Sequence, residues 1–294
     1  MSLHKSLLLL VSIFMLIALP ACQSSVDSSS SFNDVYLHVR AAWSPDGRTI
    51  AFTSYVQNAT GIYLMDSTGG NIRQIYSGDG VGLTWSPDGK WLAFSQSGIL
   101  YKMKPNGDSL SIVTDVSGAI RPAWSPNGAK IAFVQRSPGI GVWIYDFNKK
   151  AATQLLSYGD FPSWNPMTGE LVLLNAQFDQ TSGYVLYTYF AVDTTSATTR
   201  TLGSFATVAD CGFSPISPKG NTIVLGVKRP DDYAEVWVYD LTARTITQLT
   251  GDGGDYPSWS SDGTKIIYTR TQSGDGGLWV MNADGSSKRR LTKP

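Results

Sequence analysis

From residue 42 onward the chain is written in short apolar runs fenced by turn-forming residues. Ile50-Ala51-Phe52 follows Ser44-Pro45-Asp46-Gly47, Leu92-Ala93-Phe94 follows Ser86-Pro87-Asp88-Gly89, and Ile131-Ala132-Phe133 follows Ser125-Pro126-Asn127-Gly128. Runs this short, β-prone and bounded on both sides, predict strands rather than helices. The turn has a mechanism: Pro presets φ at its second position, Asp or Asn tolerates the third, and Gly takes the left-handed conformation that follows. A second apolar run comes next, such as Ile62-Tyr63-Leu64-Met65, Val142-Trp143-Ile144-Tyr145, Val236-Trp237-Val238-Tyr239 or Leu278-Trp279-Val280-Met281. After another turn, plain in Asn282-Ala283-Asp284-Gly285, a half-polar run such as Ile72-Arg73-Gln74-Ile75 or Thr247-Gln248-Leu249-Thr250 closes the unit. Its alternation is that of an exposed edge strand.

The unit repeats. An aromatic residue stands just before each first turn, at Trp43, Trp85, Trp124, Trp164, Phe213 and Trp259, with steps of 42, 39, 40, 49 and 46 by subtraction. The fourth copy drifts to Asn165-Pro166-Met167-Thr168-Gly169 and the fifth to Ser214-Pro215, while Ser260-Ser261-Asp262-Gly263 returns to type. Counting the segment that carries the aromatic anchor, each unit supplies four strands. Four strands repeated at a period of roughly 40 residues predict an all-β, six-bladed propeller. The first unit opens on its inner strand near Ala42 and the last closes on an outer strand at Arg290-Leu291-Thr292. The ring is therefore expected to close by side-chain packing without strand exchange, with Val35–Val39 as a spare β-like run that could add to a neighbouring blade.

The amino terminus belongs to a different class. Lys5 precedes an unbroken apolar run from Leu7 to Leu19, and Ala21-Cys22 ends it. This is the build of an export signal, too short to span a bilayer as an anchor. Leu19-Pro20-Ala21-Cys22 resembles a bacterial lipobox, which implies cleavage before Cys22 and its lipidation; the alternative is an ordinary signal peptide cut elsewhere. Under the resemblance, Gln23 in place of Asp favours the outer membrane of a Gram-negative cell. Residues 1–21 are thus expected to be signal, 22–33 a Ser-rich tether that cannot bury a core, and 34–294 the propeller.

Charge and chemistry narrow the function. The chain has 23 Lys and Arg against 23 Asp and Glu, and loss of Lys5 with the signal leaves 22 against 23. No basic field exists to attract nucleic acid. With Cys22 lipidated, Cys211 has no partner for a disulfide. Of two histidines, His4 leaves with the signal and His38 remains, which rules out multi-His metal sites and leaves a hydrolytic triad without an elbow motif. Glu170 and Glu235 are the only glutamates, so a carboxylate-pair glycosidase would need aspartates, and Asp46, Asp88, Asp262 and Asp284 sit where turn geometry uses them. Gly251-Asp252-Gly253-Gly254-Asp255 and Ser77-Gly78-Asp79-Gly80 are isolated Gly-Asp loops, and no cofactor fingerprint is present. The nine Trp and fourteen Tyr fall mostly at repeat positions, which points to packing between blades more than to a sugar platform.

Trp85-Ser86-Pro87-Asp88-Gly89-Lys90, Ile62-Tyr63-Leu64-Met65, Asn282-Ala283-Asp284-Gly285 and Arg289-Arg290-Leu291-Thr292 together resemble the TolB-type propeller repeat, a relative of WD-type blades. The resemblance covers nearly all of residues 40–292. It implies a six-bladed propeller exported across the inner membrane and engaged in protein–protein contact. TolB itself carries a further domain before its propeller and is soluble, so a role in the Tol-Pal system does not carry over.

In a propeller the residues just before each anchor enter the channel at one rim. Three or four positions before the anchors stand Arg40, Gly82, Arg121, Asp160, Asp210, Asp255 and Tyr256, two arginines early and three aspartates late. A mouth split by charge could hold a peptide across it; the alternative is solvated strand starts. A second candidate is the extended spacing of units four and five at Gln177–Gly183 and Asp193–Arg200. The expectation is a monomeric, lipid-anchored envelope scaffold, non-catalytic and cofactor-free, that binds a protein or peptide at the channel mouth. The alternative is a propeller acting on carbohydrate.

Overall fold

The computed structural model describes residues 38–55, 59–207, 211–212, 215–228, 233–270 and 276–292. Those residues form six four-stranded antiparallel sheets, each built from four strands consecutive in sequence. Blade 1 runs from an inner strand at His38–Trp43 through Thr49–Ser54 and Gly61–Asp66 to an outer strand at Arg73–Ser77. The inner strands of blades 2, 3, 4 and 6 are Val81–Trp85, Ala119–Trp124, Asp160–Trp164 and Asp255–Trp259. The all-β six-bladed propeller is therefore as expected. Outer strands are exposed as their half-polar pattern predicts, Thr245–Gln248 along its whole length.

The turn chemistry is realised in each blade. Gly47, Gly89, Gly128, Gly169, Gly220 and Gly263 all lie near φ +70°, the left-handed region in which a Cβ is strained. Ser44 donates its hydroxyl to Asp46 Oδ1 at 2.6 Å, and the same oxygen accepts the Arg48 amide at 3.1 Å. Ser86 with Asp88 and Ser260 with Asp262 repeat the arrangement at 2.6 Å. These hydrogen bonds, the hydroxyl's first, hold the carboxyls of Asp46, Asp88 and Asp262 below their usual range.

Blade 5 corrects the sequence reading. Its first turn is Ser217-Pro218-Lys219-Gly220, closed by Gly220 N–H to Ser217 O at 2.8 Å. Ile216 pairs with Ile223 just as Trp43 pairs with Ile50 and Trp259 with Ile266, so the anchor of blade 5 is Ile216 and not Phe213. Two Ser-Pro pairs stand in tandem here, and only the second has a Gly two residues on and the apolar run beyond it. The last two steps become 52 and 43 by subtraction, from 164 to 216 and 216 to 259.

Apolar side chains gather in six clusters, each drawing on two neighbouring blades, so the core is a ring around the channel. Closure between the last and first blades is one of these: Ala41, Ile50, Phe52 and Met65 of blade 1 pack with Ile267, Leu278, Val280 and Leu291 of blade 6. Among the described residues no strand is exchanged across it, as expected. Val39 is not spare, because it belongs to the inner strand of blade 1 and pairs with Thr53; Val35 to Leu37 lie outside the described residues. Aromatics pack between blades as anticipated, Tyr189 of blade 4 stacking on Tyr239 of blade 5 with centroids 5.8 Å apart.

The longer spacing of unit four lengthens strands rather than loops. Leu171–Phe178, Val185–Val192 and Thr199–Thr207 carry on where other blades turn, because the β-prone residues run on to Phe178 and Thr207. Only Asp179 to Tyr184 and Asp193 to Thr198 remain as turns, each closed by a backbone hydrogen bond. The resulting hairpin tip exposes Phe178, Tyr184 and Leu186.

Candidate functional site at the channel mouth

Inner strands run toward their Ser-Pro turns, so the strand starts share one end of the ring with the loops that join the second and third strands. At that end the inner strands of blades 1, 2, 3, 4 and 6 carry a bulge. The register slips between Val39 and Ala41, between Val81 and Thr84, between Asp160 and Ser163, and between Asp255 and Ser258. The residue three before the anchor takes a positive φ: Arg40 at 60°, Gly82 at 68°, Arg121 at 55°, Phe161 at 51° and Tyr256 at 49°. Glycine takes that conformation freely, whereas Arg, Phe and Tyr are strained in it. Four strained side chains in equivalent positions around one mouth mark it as the place where the fold departs from its easiest backbone. In blade 5 the corrected anchor counts back to Phe213 in place of Asp210, and both lie outside the described residues.

Two of these residues meet their neighbours across blade boundaries. The Arg121 guanidinium lies over the Phe161 ring, 3.8 Å from its centroid, between blades 3 and 4. The Arg40 guanidinium lies over the Tyr256 ring at 5.0 Å, between blades 1 and 6. Such pairs contribute about 0.5–2 kcal/mol depending on solvent access. Tyr55 stands within electrostatic reach of Arg40: burial raises its hydroxyl above the usual tyrosine range, and the Arg40 charge works against that rise.

The aspartates do a different job from the one their sequence positions implied. Asp160 Oδ1 accepts the Phe161 amide at 2.8 Å and Asp255 Oδ1 accepts the Tyr256 amide at 2.7 Å, so each caps the bulge beside it. Asp160 also forms an ion pair with Arg121 and accepts from Arg136 at 2.5 Å. Arg121 and Asp160, expected on opposite sides of a charge-split rim, are thus neighbours that neutralise each other, because their blades are adjacent. Gly226 leaves room for Asp255, whose Oδ1 would lie 2.4 Å from a Cβ there.

Below the mouth lies a cavity of about 230 Å³ lined by residues of all six blades. Pro122 and Pro162 stand two residues before their anchors and face it, together with Leu83, Trp85 and Trp259; Arg121 is its charged residue. Anchor indoles tie blades in pairs. Trp85, Trp164 and Trp259 donate to the carbonyls of Ala42, Ala123 and Pro215 at 3.0, 3.0 and 3.2 Å. Trp43 and Trp124 have no acceptor among the described residues. Nor, among those residues, do three His, Cys, Asp or Glu side chains come together as metal ligands. Cys22 lies outside the described residues, and of Cys211 only the backbone is described.

Residues 24–216 match the profile of the TolB β-propeller domain. The chain belongs to the TolB β-propeller family. Solved structures share the fold of this TolB-type propeller at low identity. A putative TolB from Agrobacterium tumefaciens superposes with a TM-score of 0.62 at 18% identity, covering 75% of this chain and 84% of that one. An oligogalacturonate lyase from Vibrio parahaemolyticus gives 0.58 at 9%, covering 84% and 90%. The β-propeller domain of the Trilobed protease from Pyrococcus furiosus, described as having an open velcro topology, gives 0.57 at 13%, covering 89% and 86%.

The bulges and their positive φ escaped the sequence reading. Gly82 gave a local hint, and Arg121-Pro122, Phe161-Pro162 and Tyr256-Pro257 gave a recurrent one, a Pro fixed two before the anchor in three blades.

Proposed function

We propose that this TolB-type propeller is a non-catalytic scaffold whose channel mouth binds an extended segment of a partner protein. The observation that carries the reading is the ring of strained mouth residues, where Arg40 and Tyr256, and Arg121 and Phe161, place guanidinium and aromatic groups together above the channel. Arg, Tyr and Phe are the side chains that concentrate binding energy in protein interfaces. A catalytic reading needs carboxylates held ready for a substrate or ion. The described mouth aspartates are instead occupied, Asp160 by two guanidinium groups and an amide and Asp255 by the Tyr256 amide. Family membership supports a protein-binding role, and the lyase likeness is one of fold.

The same proposal places the protein in the cell envelope, exported by residues 1–21 and held by a lipid on Cys22. Labelling cells with a radioactive fatty acid tests this part: the chain takes up label, and Cys22→Ala does not. For the mouth, a photo-crosslinking residue is placed at Tyr256 and, as a control, at Met167, which is 71% exposed on a turn at the opposite end. One discrete adduct from position 256 and none from 167 is the expected result in intact cells. Adducts of equal yield at both positions, or from 167 alone, would sink the mouth as the binding site.

A further inference from the structure

Arg40 differs from the other arginines held in the fold. Arg121 and Arg136 are paired with Asp160, Arg270 with Asp252, and Arg290 donates to the Gly276 carbonyl. All four are buried or half-buried, and so is Arg40. Yet Arg40 makes no ion pair with the described acids, and its one recorded contact is the Tyr256 ring under its face. A guanidinium has five N–H donors in a fixed plane. A ring under the guanidinium accepts none of its N–H groups in an ordinary hydrogen bond, and the edge of the group is the part that forms two parallel bonds to a carboxylate. The backbone fixes where that edge stands, because Arg40 sits at φ 60° in a bulge whose counterpart in blade 2 is Gly82. A Gly would spare the strain there, so the arginine is held against a cost of about 1–3 kcal/mol.

We propose that Arg40 is the anchor for a carboxylate carried by the segment that enters the mouth, either an Asp or Glu side chain or a chain carboxyl terminus. This rests on the mouth being the partner-binding site. Tyr256 lies under the guanidinium, and the channel below, where Leu83, Pro122 and Pro162 stand, accepts the uncharged residues next to the carboxylate. Arg121 differs, since its guanidinium is already paired with the Asp160 carboxylate. The mouth is thereby polarised, with one guanidinium paired to an acid at blades 3 and 4 and one without an acid among the described residues at blades 1 and 6.

The test selects random octapeptides, half with free and half with amidated carboxyl termini, against the detergent-solubilised full-length protein. Selected peptides are then titrated against Arg40→Gln and Arg40→Lys, with melting temperatures recorded for both. The expected result is a shared carboxylate at one position, binding weakened at least tenfold by Arg40→Gln and less by Arg40→Lys, with melting within a few degrees of wild type. Loss of binding on amidation assigns the terminal carboxylate, and loss on exchanging Asp or Glu for Asn or Gln assigns a side chain. Peptides that bind Arg40→Gln as tightly as wild type, or that share no carboxylate, overturn the anchor and leave the mouth standing as a binding site. Should no peptide be selected, anchor and mouth fall together. If Arg40→Gln fails to fold, Arg40→Lys decides: it must retain the carboxylate preference at reduced affinity, and an unchanged affinity overturns the proposal.

Discussion

Replacing Asp160 with Ala removes the clamp that joins blades 3 and 4 at the channel mouth. The carboxylate accepts from Arg121, from Arg136 and from the Phe161 amide, and the three side chains of the ion-pair network are 12%, 26% and 33% exposed for Arg121, Asp160 and Arg136. A hydrogen bond to a charged group contributes about 1.5–3 kcal/mol. Partial exposure screens these, so the lower end applies and the two guanidinium bonds together contribute about 3 kcal/mol. For a domain of this size that is a fall of ~6–12 °C in melting temperature. Arg121→Met keeps an apolar stem over Phe161 and leaves Asp160 held by Arg136, so it costs about 1.5 kcal/mol. In the double variant the Arg121 bond is already lost, and the two effects fall short of additive by about 1.5 kcal/mol. Circular dichroism melts of the four proteins measure this directly. An Asp160→Ala protein melting within 2 °C of wild type, or strict additivity in the cycle, would refute the clamp, and the neutralised rim on which the reading of the mouth depends would lose its support.

Other expectations follow from the same contacts. Trp85→Phe loses a hydrogen bond to Ala42 that Trp124→Phe does not have to lose, so it should destabilise by about 1 kcal/mol more; equal melting temperatures would count against pairing of blades by indole bonds. Leu291→Ala empties the closing interface between blades 6 and 1 at a cost of about 2–4 kcal/mol, and hydrogen exchange should speed up first in His38–Trp43 and Gly277–Asn282. Exchange that rises evenly around the ring would deny that closure is the weak seam. Asp66 is held down to about 2, chiefly by the Thr68 hydroxyl and then by the Gly70 and Thr68 amides, and Asp46, Asp88 and Asp262 are also lowered. Lowered carboxyls stabilise above the unfolded value near 4 and lose that contribution as pH falls toward 2. Stability should therefore fall between those values on acid titration, and Asp66→Asn should flatten the fall; a protein equally stable at both ends would show that the turns do not contribute it.

The fold was legible because its punctuation is chemical. Ser, Pro, Asp and Gly each have a reason to occupy their turn position, and the reasons recur in register, so blade count and closure without strand exchange could be read before any coordinate. Blade 5 misled because two Ser-Pro pairs compete there and the anchor is Ile216 rather than an aromatic; an aliphatic side chain fills the same interface and leaves no sequence signature. The mouth was half legible. Counting back from the anchors reached Arg40, Arg121 and Tyr256 at the strand starts, but nothing in the sequence says that Arg121 pairs with Asp160 from the next blade while Arg40 meets no acid among the described residues. The left-handed bulge was hidden for a related reason: where side chains from neighbouring blades hold a residue in strain, Arg, Phe and Tyr can stand where propensity would write Gly. The extension of blade 4 was visible as spacing, yet whether added residues coil or continue a ladder depends on pairing partners across the hairpin, here Phe178 with Val185 and Val185 with Thr207.

The most direct measurement is a hydrogen-exchange footprint of the propeller with and without the partner captured by the crosslinker at Tyr256. The account predicts protection at the starts of the inner strands, around Arg40, Arg121, Asp160 and Tyr256, with the Ser-Pro turns at the opposite end unchanged. Protection confined to those turns, around Asp46, Asp88 and Asp262, would contradict it.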